Sequence, residues 1–394
     1  MSGATLTEQT LPGDAPPGRD WGALARETGR SLLVPALAIL TALIIGGVIM
    51  ALTTRDLSIP FKAYRGLLAG MLGSPQAIAE TLISATPYIF TGLAVALAFK
   101  CGLFNIGAEG QLALGALATA YVGYHFKLPG LIHLPLALLA GVAAGFLWGA
   151  IPGTLKARTG AHEVITTIML NYLAIQFVQY MLSGPMKAPR TVVPKTPPLQ
   201  RSAWLPMLIP TLQLHTGVLL AILASVLISW FLGNTIWGFA LRTVGTNAAA
   251  ARYAGMSVAW NIVMAMALSG ALAGLAGAVQ VTGVALDTTS ADHSGNRYLG
   301  LGFSSGYGFD SIAVALLGRG NPYGVVASAL LFGGLRAGAS KMQFDTQVPS
   351  EIISVIQGLI LLFVAADAIV RRLYRLPNST AGGTPVLTSG WGEK

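Results

Sequence analysis

Charge is scarce in this 394-residue chain: Asp, Glu, Lys and Arg together make up 10% of it, while 54% is hydrophobic. Globular domains carry roughly a quarter charged residues, so a water-facing surface cannot be assembled and a soluble protein is excluded. Cysteine is all but absent. Cys101 stands alone, which excludes a disulfide framework and a cysteine-based zinc site, and His125, His133, His162, His215 and His293 lack HExxH-like spacing. No metal site is expected. No GxxxxGKS/T loop occurs, so the chain has no ATP-hydrolysing loop of its own. The run Gly300, Gly302, Gly306 is one residue too long for a dinucleotide fingerprint. No GxSxG elbow offers a hydrolase nucleophile. The net charge of +9 is scattered between apolar runs, which suits anionic headgroups of a lipid bilayer and not nucleic acid.

What the chain has instead is long apolar runs. Charge-free stretches cover 31–54, 81–99, 128–155, 164–186, 202–241 and 253–286, and a helix needs about 20 residues to cross a hydrocarbon core. The runs are continuous and not alternating, which excludes a membrane β-barrel. The fold class expected is an all-α polytopic membrane protein of about ten transmembrane helices, near 31–53, 77–99, 104–124, 131–155, 163–183, 215–233, 260–283, 308–318, 322–339 and 350–370. The eighth is short, hence a broken or re-entrant segment, which is tolerated only where protein or water covers its ends. Residues 1–30 read as a flexible cytoplasmic tail, 31–370 as the transmembrane domain and 371–394 as a cytoplasmic tail. The first apolar run lacks a cleavage pattern and is followed by further spans, so it reads as retained.

An even number of spans and the cluster Arg371, Arg372, Arg375 place both termini in the cytoplasm. The Lys and Arg tally over the other loops is nearly even, because the long segment 184–214 carries Lys187, Arg190, Lys195 and Arg201. That segment is proline-rich and cannot be helical throughout; it is expected to be an external cap, with Trp204 as a membrane-interface anchor. Gly141, Gly145, Gly149 and Gly153 recur every fourth residue, which stacks them on one helix face and lets another backbone approach closely.

Ionisable and amide groups inside spans need a partner or a water-filled path. Glu80, Glu351 and Asp367 fall near span ends, where headgroups or water serve. Asn105 and Glu109 share a helix face at i, i+4, Glu163, Thr167 and Asn171 form a second polar stripe, and Phe309 and Asp310 open the short eighth segment. These seven are candidate pathway residues; the alternative is that they cap helices or hold the bundle together through interhelical hydrogen bonds. Arg336 is the one basic residue deep in a span, so the pathway is not built for a strongly anionic solute. Between spans six and seven, residues 234–259 include Thr246, Asn247 and four alanines, which predict a short capped helix closed by Gly255. A bundle connection needs only about 2–8 residues, so this loop is expected to contact a partner.

Three blocks carry a family resemblance: FNIGAEGQLALG at 104–115, EVITTIMLNYLA at 163–174 and GFDSIAVALLGRGNPYG at 308–324. They resemble permease subunits of bacterial ATP-binding-cassette (ABC) importers in the branched-chain amino acid and ribose permease group, most of all nucleoside-type permeases that work with a basic-membrane-protein-like lipoprotein. The resemblance runs from about residue 75 to about 370. It implies a non-catalytic subunit of the bacterial inner membrane that binds no cofactor and leaves ATP to cytoplasmic ATPase partners. It further implies a second, different permease subunit and an external substrate-binding lipoprotein. It assigns Arg242, Gly245, Asn247, Ala251, Arg252 and Gly255 to coupling with the ATPase. Sugar or branched-chain amino acid uptake is the alternative within that group. A stand-alone ion-coupled carrier using Glu109 or Asp310 is the alternative outside it.

Overall fold

The computed structural model describes residues 21–284, 295–304 and 306–375. Most of the two terminal tails, 1–20 and 376–394, lies outside them. The described residues are mostly helical: α1 Trp21–Thr54, α2 Ile59–Leu72, α3 Pro75–Lys100, α4 Ala108–His125, α5 Gly130–Thr159, α6 Glu163–Ser183, α7 Gly217–Asn234, α8 Ile236–Thr246, α9 Ala248–Tyr253, α10 Val258–Gly283, α11 Tyr307–Leu317, α12 Pro322–Thr346, α13 Glu351–Ala365 and α14 Asp367–Leu373. One short antiparallel hairpin, β1 Met207–Ile209 with β2 Leu214–His215, sits between α6 and α7. Leu33–Thr54 of α1, with α3, α5, α6, α7 and α10, are long and apolar enough to cross a membrane, while α11 and α13 are apolar but shorter. All ten expected segments coincide with helices, and the polytopic all-α expectation holds.

The helix ends follow local chemistry. Ser74 caps α3 by accepting from the Ala77 amide at 3.1 Å, and Pro75 fills the first turn, where a missing N–H costs nothing. At the end of α5, Gly160 adopts φ 70°, the left-handed turn that stops the helix. Helix α3 is the hub: most of it is buried, from Ala85 to Ala98 without a break, against α7, α10, α11 and α12.

Helix α2 was not among the expected spans. Lys62 and Arg65 interrupt its apolar run, and its 14 residues are too few to cross a bilayer. Its buried face, Ala63, Gly66, Leu67 and Gly70, keeps the helical spacing and seats on α12, where a Cβ on Gly70 would lie 2.8 Å from Gly338 Cα.

The proline-rich stretch between α6 and α7 is a cap over one end of the bundle. Its backbone is satisfied by cross-links in place of helix: Thr196 N–H donates to Leu299 O at 2.9 Å, Leu199 N–H to Arg297 O at 2.8 Å, and Leu205 N–H to Thr282 O at 3.0 Å. Trp204 is folded into the cap and is not a free interface anchor; its indole N–H donates to Leu199 O at 3.2 Å, and the buried Arg297 guanidinium lies 4.5 Å from its ring.

The short eighth segment is the 11-residue helix α11, which follows a run of turns. Gly300 pairs with Lys195 at the cap, whereas Gly320 lies against the Lys100 side chain at the far end of α3. Between them come those turns, with Leu301 and Gly302 exposed, and α11 itself.

Candidate functional site

The first polar cluster forms where α3 hands over to α4. Asn105 is fully buried. Its amide N–H groups donate to Gln111 Oε1 at 2.8 Å and Ser269 Oγ at 2.7 Å, and its Oδ1 accepts from Gly107 N at 2.9 Å. Asn171 on α6 donates to Ile106 O at 2.7 Å and accepts from Gly110 N at 2.8 Å. Glu109 reaches across to α11 and accepts from the Gly308 amide at 2.7 Å. Thr167 donates back to Glu163 O at 2.7 Å, and Glu163 pairs with Lys156 at 2.8 Å. The structure thus brings Asn105, Glu109 and Asn171 into one buried clamp that fixes the turn, α4 and the start of α11 to each other. A buried amide or carboxylate demands such partners.

The second cluster lies higher in the bundle. Tyr88 on α3 donates its hydroxyl to Asp310 Oδ2 at 2.9 Å and accepts from Arg336 Nη1 on α12 at 3.2 Å. Arg336 also sits 4.3 Å from the Tyr307 ring, and the Tyr88 and Tyr307 rings meet edge to face at 4.9 Å. One cation, one carboxylate and two phenols therefore form a charge-balanced group in the middle of the bundle. Phe309, next to Asp310 in sequence, is 42% exposed and takes no part in these contacts. Sequence reasoning named Asp310 and missed Tyr88 and Tyr307. The lone deep cation Arg336 was the available signal, since a membrane cation requires a nearby counter-charge.

The third feature is the pair α8 and α9. Thr235 caps α8 through Gly238 N at 3.0 Å, and Asn247 caps α9 through Ala250 N at 3.0 Å. Helix α8 buries Gly238, Leu241 and Val244. Helix α9 turns only Ala251 inward, leaving Arg252 exposed and Tyr253 95% exposed. Gly255, φ 79°, makes the exit turn. Gly245 is pressed on the end of α3, where an added Cβ would lie 2.3 Å from Lys100 O. Arg242 is exposed, with Nε 3.4 Å from Gly238 O. All six residues named for coupling therefore belong to one projecting element at the end opposite the cap.

Gly141, Gly145, Gly149 and Gly153 are all buried. A Cβ on Gly145 would fall 2.2 Å from Gly270 O, and one on Gly149 would fall 2.4 Å from Met266 O. Helices α5 and α10 thus touch backbone to backbone. Among the described residues no group of three or more His, Cys, Asp or Glu could hold a metal ion.

A multi-pass helical bundle with a short broken segment, a buried polar group between its helices and a capped helix pair at one end has the build of a membrane permease. Residues 77–365 match the family model for the branched-chain amino acid transport system permease component, and the chain belongs to that family. It is 43% identical over 342 residues to the guanosine ABC transporter permease protein NupP of Bacillus subtilis, covering 86% of this chain and 94% of that one. It is 36% identical to the glucose ABC transporter permease protein TsgB13 of Haloferax volcanii, over 87% of this chain and 89% of the relative. It is 35% identical to the nucleoside ABC transporter permease protein NupB of Lactococcus lactis subsp. cremoris, over 93% and 98%. No solved structure matches it. The chain is therefore a non-catalytic, multi-pass permease subunit of an ABC transporter, a family that works with an ATPase and a substrate-binding partner.

Proposed function

We propose that this chain forms one half of the membrane channel of an importer that moves nucleosides into a bacterial cell by ATP-driven alternating access. The observation that carries the ATP-driven part is the α8–α9 element, a capped, outward-facing helix pair seated on the end of the central helix α3. A permease without its own nucleotide site needs such a foothold for the ATPase. Nucleosides are the favoured solute because two of the relatives described above carry guanosine or nucleoside in their names. The glucose permease relative supports a sugar as the second reading.

In this reading the cap faces outward and receives the solute from a binding lipoprotein, and a second, different permease subunit completes the channel. In the same reading the α9 end faces the cytoplasm with both termini, in keeping with the cluster Arg371, Arg372 and Arg375 after the last span. Asp310 and its partners lie on the solute route, and Asn105, Glu109, Glu163, Thr167 and Asn171 hold its walls. The test is uptake of labelled guanosine, with glucose as the comparison, by proteoliposomes containing the whole complex. ATP-dependent guanosine uptake is expected, and Arg252→Glu should uncouple hydrolysis from it. Uptake that persists without ATPase and collapses with an ionophore would overturn the reading.

A further inference from the structure

Between α3, α12 and the β1–β2 hairpin lies a cavity of about 300 Å³, with Arg336 in its wall together with Glu80, Ser84, Gln213, His215 and Ser340. Resting on the import reading above, we propose that this cavity is the solute-recognition chamber, shaped for a neutral, hydroxyl-rich solute of nucleoside size and closed to its phosphorylated forms.

Three observations converge on it. The volume stands at the lower end of the range for small-molecule pockets, roughly 300–1,000 Å³, which admits one small solute and no oligomer. The wall offers one cation, Arg336, one carboxylate, Glu80, and the neutral donors and acceptors of Ser84, Gln213 and Ser340. That mixture pairs with hydroxyls and ring carbonyls, while a phosphate dianion would face Glu80 with a single guanidinium already engaged by Tyr88 and Tyr307. The same engagement holds Arg336 rigid, so little freedom is lost when a solute docks.

His215 supplies the third observation. Its ring is packed between Gly217 and Gly283, and Nδ1 accepts from the Gly217 amide at 3.1 Å. Nδ1 therefore lacks a hydrogen and Nε2 carries it in the neutral ring. That Nε2 is buried and has no hydrogen-bond partner among the described residues, although native proteins match nearly all buried donors. A residue of the chamber wall thus carries a buried donor left unspent by the described residues, in the same cavity that Arg336 lines.

Cysteine protection tests this directly. Ser340 is exposed in the chamber wall and Cys101, the chain's own cysteine, is buried, so S340C gives one reactive thiol for a charged methanethiosulfonate reagent. S84C repeats the measurement from the opposite helix. In the complete transporter, guanosine at about nine times its dissociation constant should slow labelling roughly tenfold, the protection expected of a mostly occupied site. Guanosine monophosphate should give none, and V192C, on a cap residue 94% exposed, should label at an unchanged rate. Unprotected S340C and S84C in a preparation that imports guanosine would overturn the chamber. Failure of guanosine uptake with protection by glucose would leave the chamber standing and overturn the nucleoside reading. Equal protection by guanosine monophosphate would overturn the exclusion of phosphorylated solutes.

Discussion

Replacing Gly145 with alanine asks whether the α5–α10 contact is a structural seam or an accident of composition. The new methyl carbon would start 2.2 Å from Gly270 O, 2.7 Å from Gly274 Cα and 2.9 Å from Gly274 N. An ordinary carbon-to-carbonyl-oxygen contact begins near 3.3 Å, so the two helices must part by about 1 Å locally. A gap of about that size forfeits a quarter to a half of each dispersion contact it opens, and the neighbouring steps at Gly141 and Gly149 open with it. In a bilayer, close packing of small residues is the main force joining helices. Overpacking costs about 1–3 kcal/mol, against which alanine gains about 1 kcal/mol over glycine in helix propensity. Net destabilisation is expected, because every crowded atom is backbone and no side chain can swing aside. Gly358→Ala is the control: nothing lies within 4 Å of that Cβ, so it gains the propensity and loses no contact. Apparent Tm values in one detergent at one scan rate, the fair comparison for irreversible unfolding, should place G145A below wild type and G358A at or above it. A G145A protein that melts with G358A refutes the seam.

Two further outcomes follow from buried polar groups. Glu109→Ala strips the buried Gly308 amide of its acceptor and should destabilise the fold by about 1–3 kcal/mol. Glu109→Gln should restore part of the loss, with thermal melting and yield as the measures. His215, outside the spans, is held down to about 4 from its ordinary 6.5, first by burial and then by the Arg297 charge. The unfolded chain takes up that proton first, so this contribution is complete above about pH 6.5 and is lost as the pH falls toward about 4. The loss amounts to about 3 kcal/mol from the shift of the neutral ring. Melting in detergent at about pH 7.5 and about pH 5 should show about 2 kcal/mol of that loss in wild type and a flatter response in His215→Asn.

The spans were legible because continuous apolar runs leave a bilayer-crossing chain few alternatives. The end helix α9 was legible too, since Asn247 before four alanines states its own cap. Helix α2 was not: its signal is a short amphipathic face interrupted by Lys62 and Arg65, which hydropathy alone reads as loop. Asn105, Glu109 and Asn171 stood out because polar groups in apolar runs are conspicuous, yet the sequence left open what they touch. The structure pairs them across sequence separations of 61 to 199 residues, which no local pattern encodes. Tyr88 and Tyr307 gave no signal of their own. A tyrosine among apolar neighbours looks like core until Arg336 and Asp310 are found around it.

One contact joins the projecting element to the polar group. Gly245 at the end of α8 lies against Lys100 and Cys101, where an added Cβ would meet Lys100 O at 2.3 Å and Cys101 Cα at 2.8 Å. From Lys100 the buried helix α3 runs back about 18 Å, at 1.5 Å per residue, to Tyr88 and its bond to Asp310. A stiff, packed helix passes a push at one end to the other with little loss, so a tilt of α8 under the ATPase would shift Tyr88 against Asp310 and Arg336. Spatial continuity becomes coupling only when both ends bias one equilibrium, and the decisive quantity is the number of ATP hydrolysed per solute moved. Gly245→Ala wedges α8 away from α3 and should raise that ratio while the complex still assembles. Gly233→Ala, with nothing within 4 Å of its Cβ at the end of α7, should leave it alone. If Arg252→Glu uncouples the complex and Gly245→Ala does not, the push reaches the solute route by another way, and α3 is a scaffold for the site without being its lever.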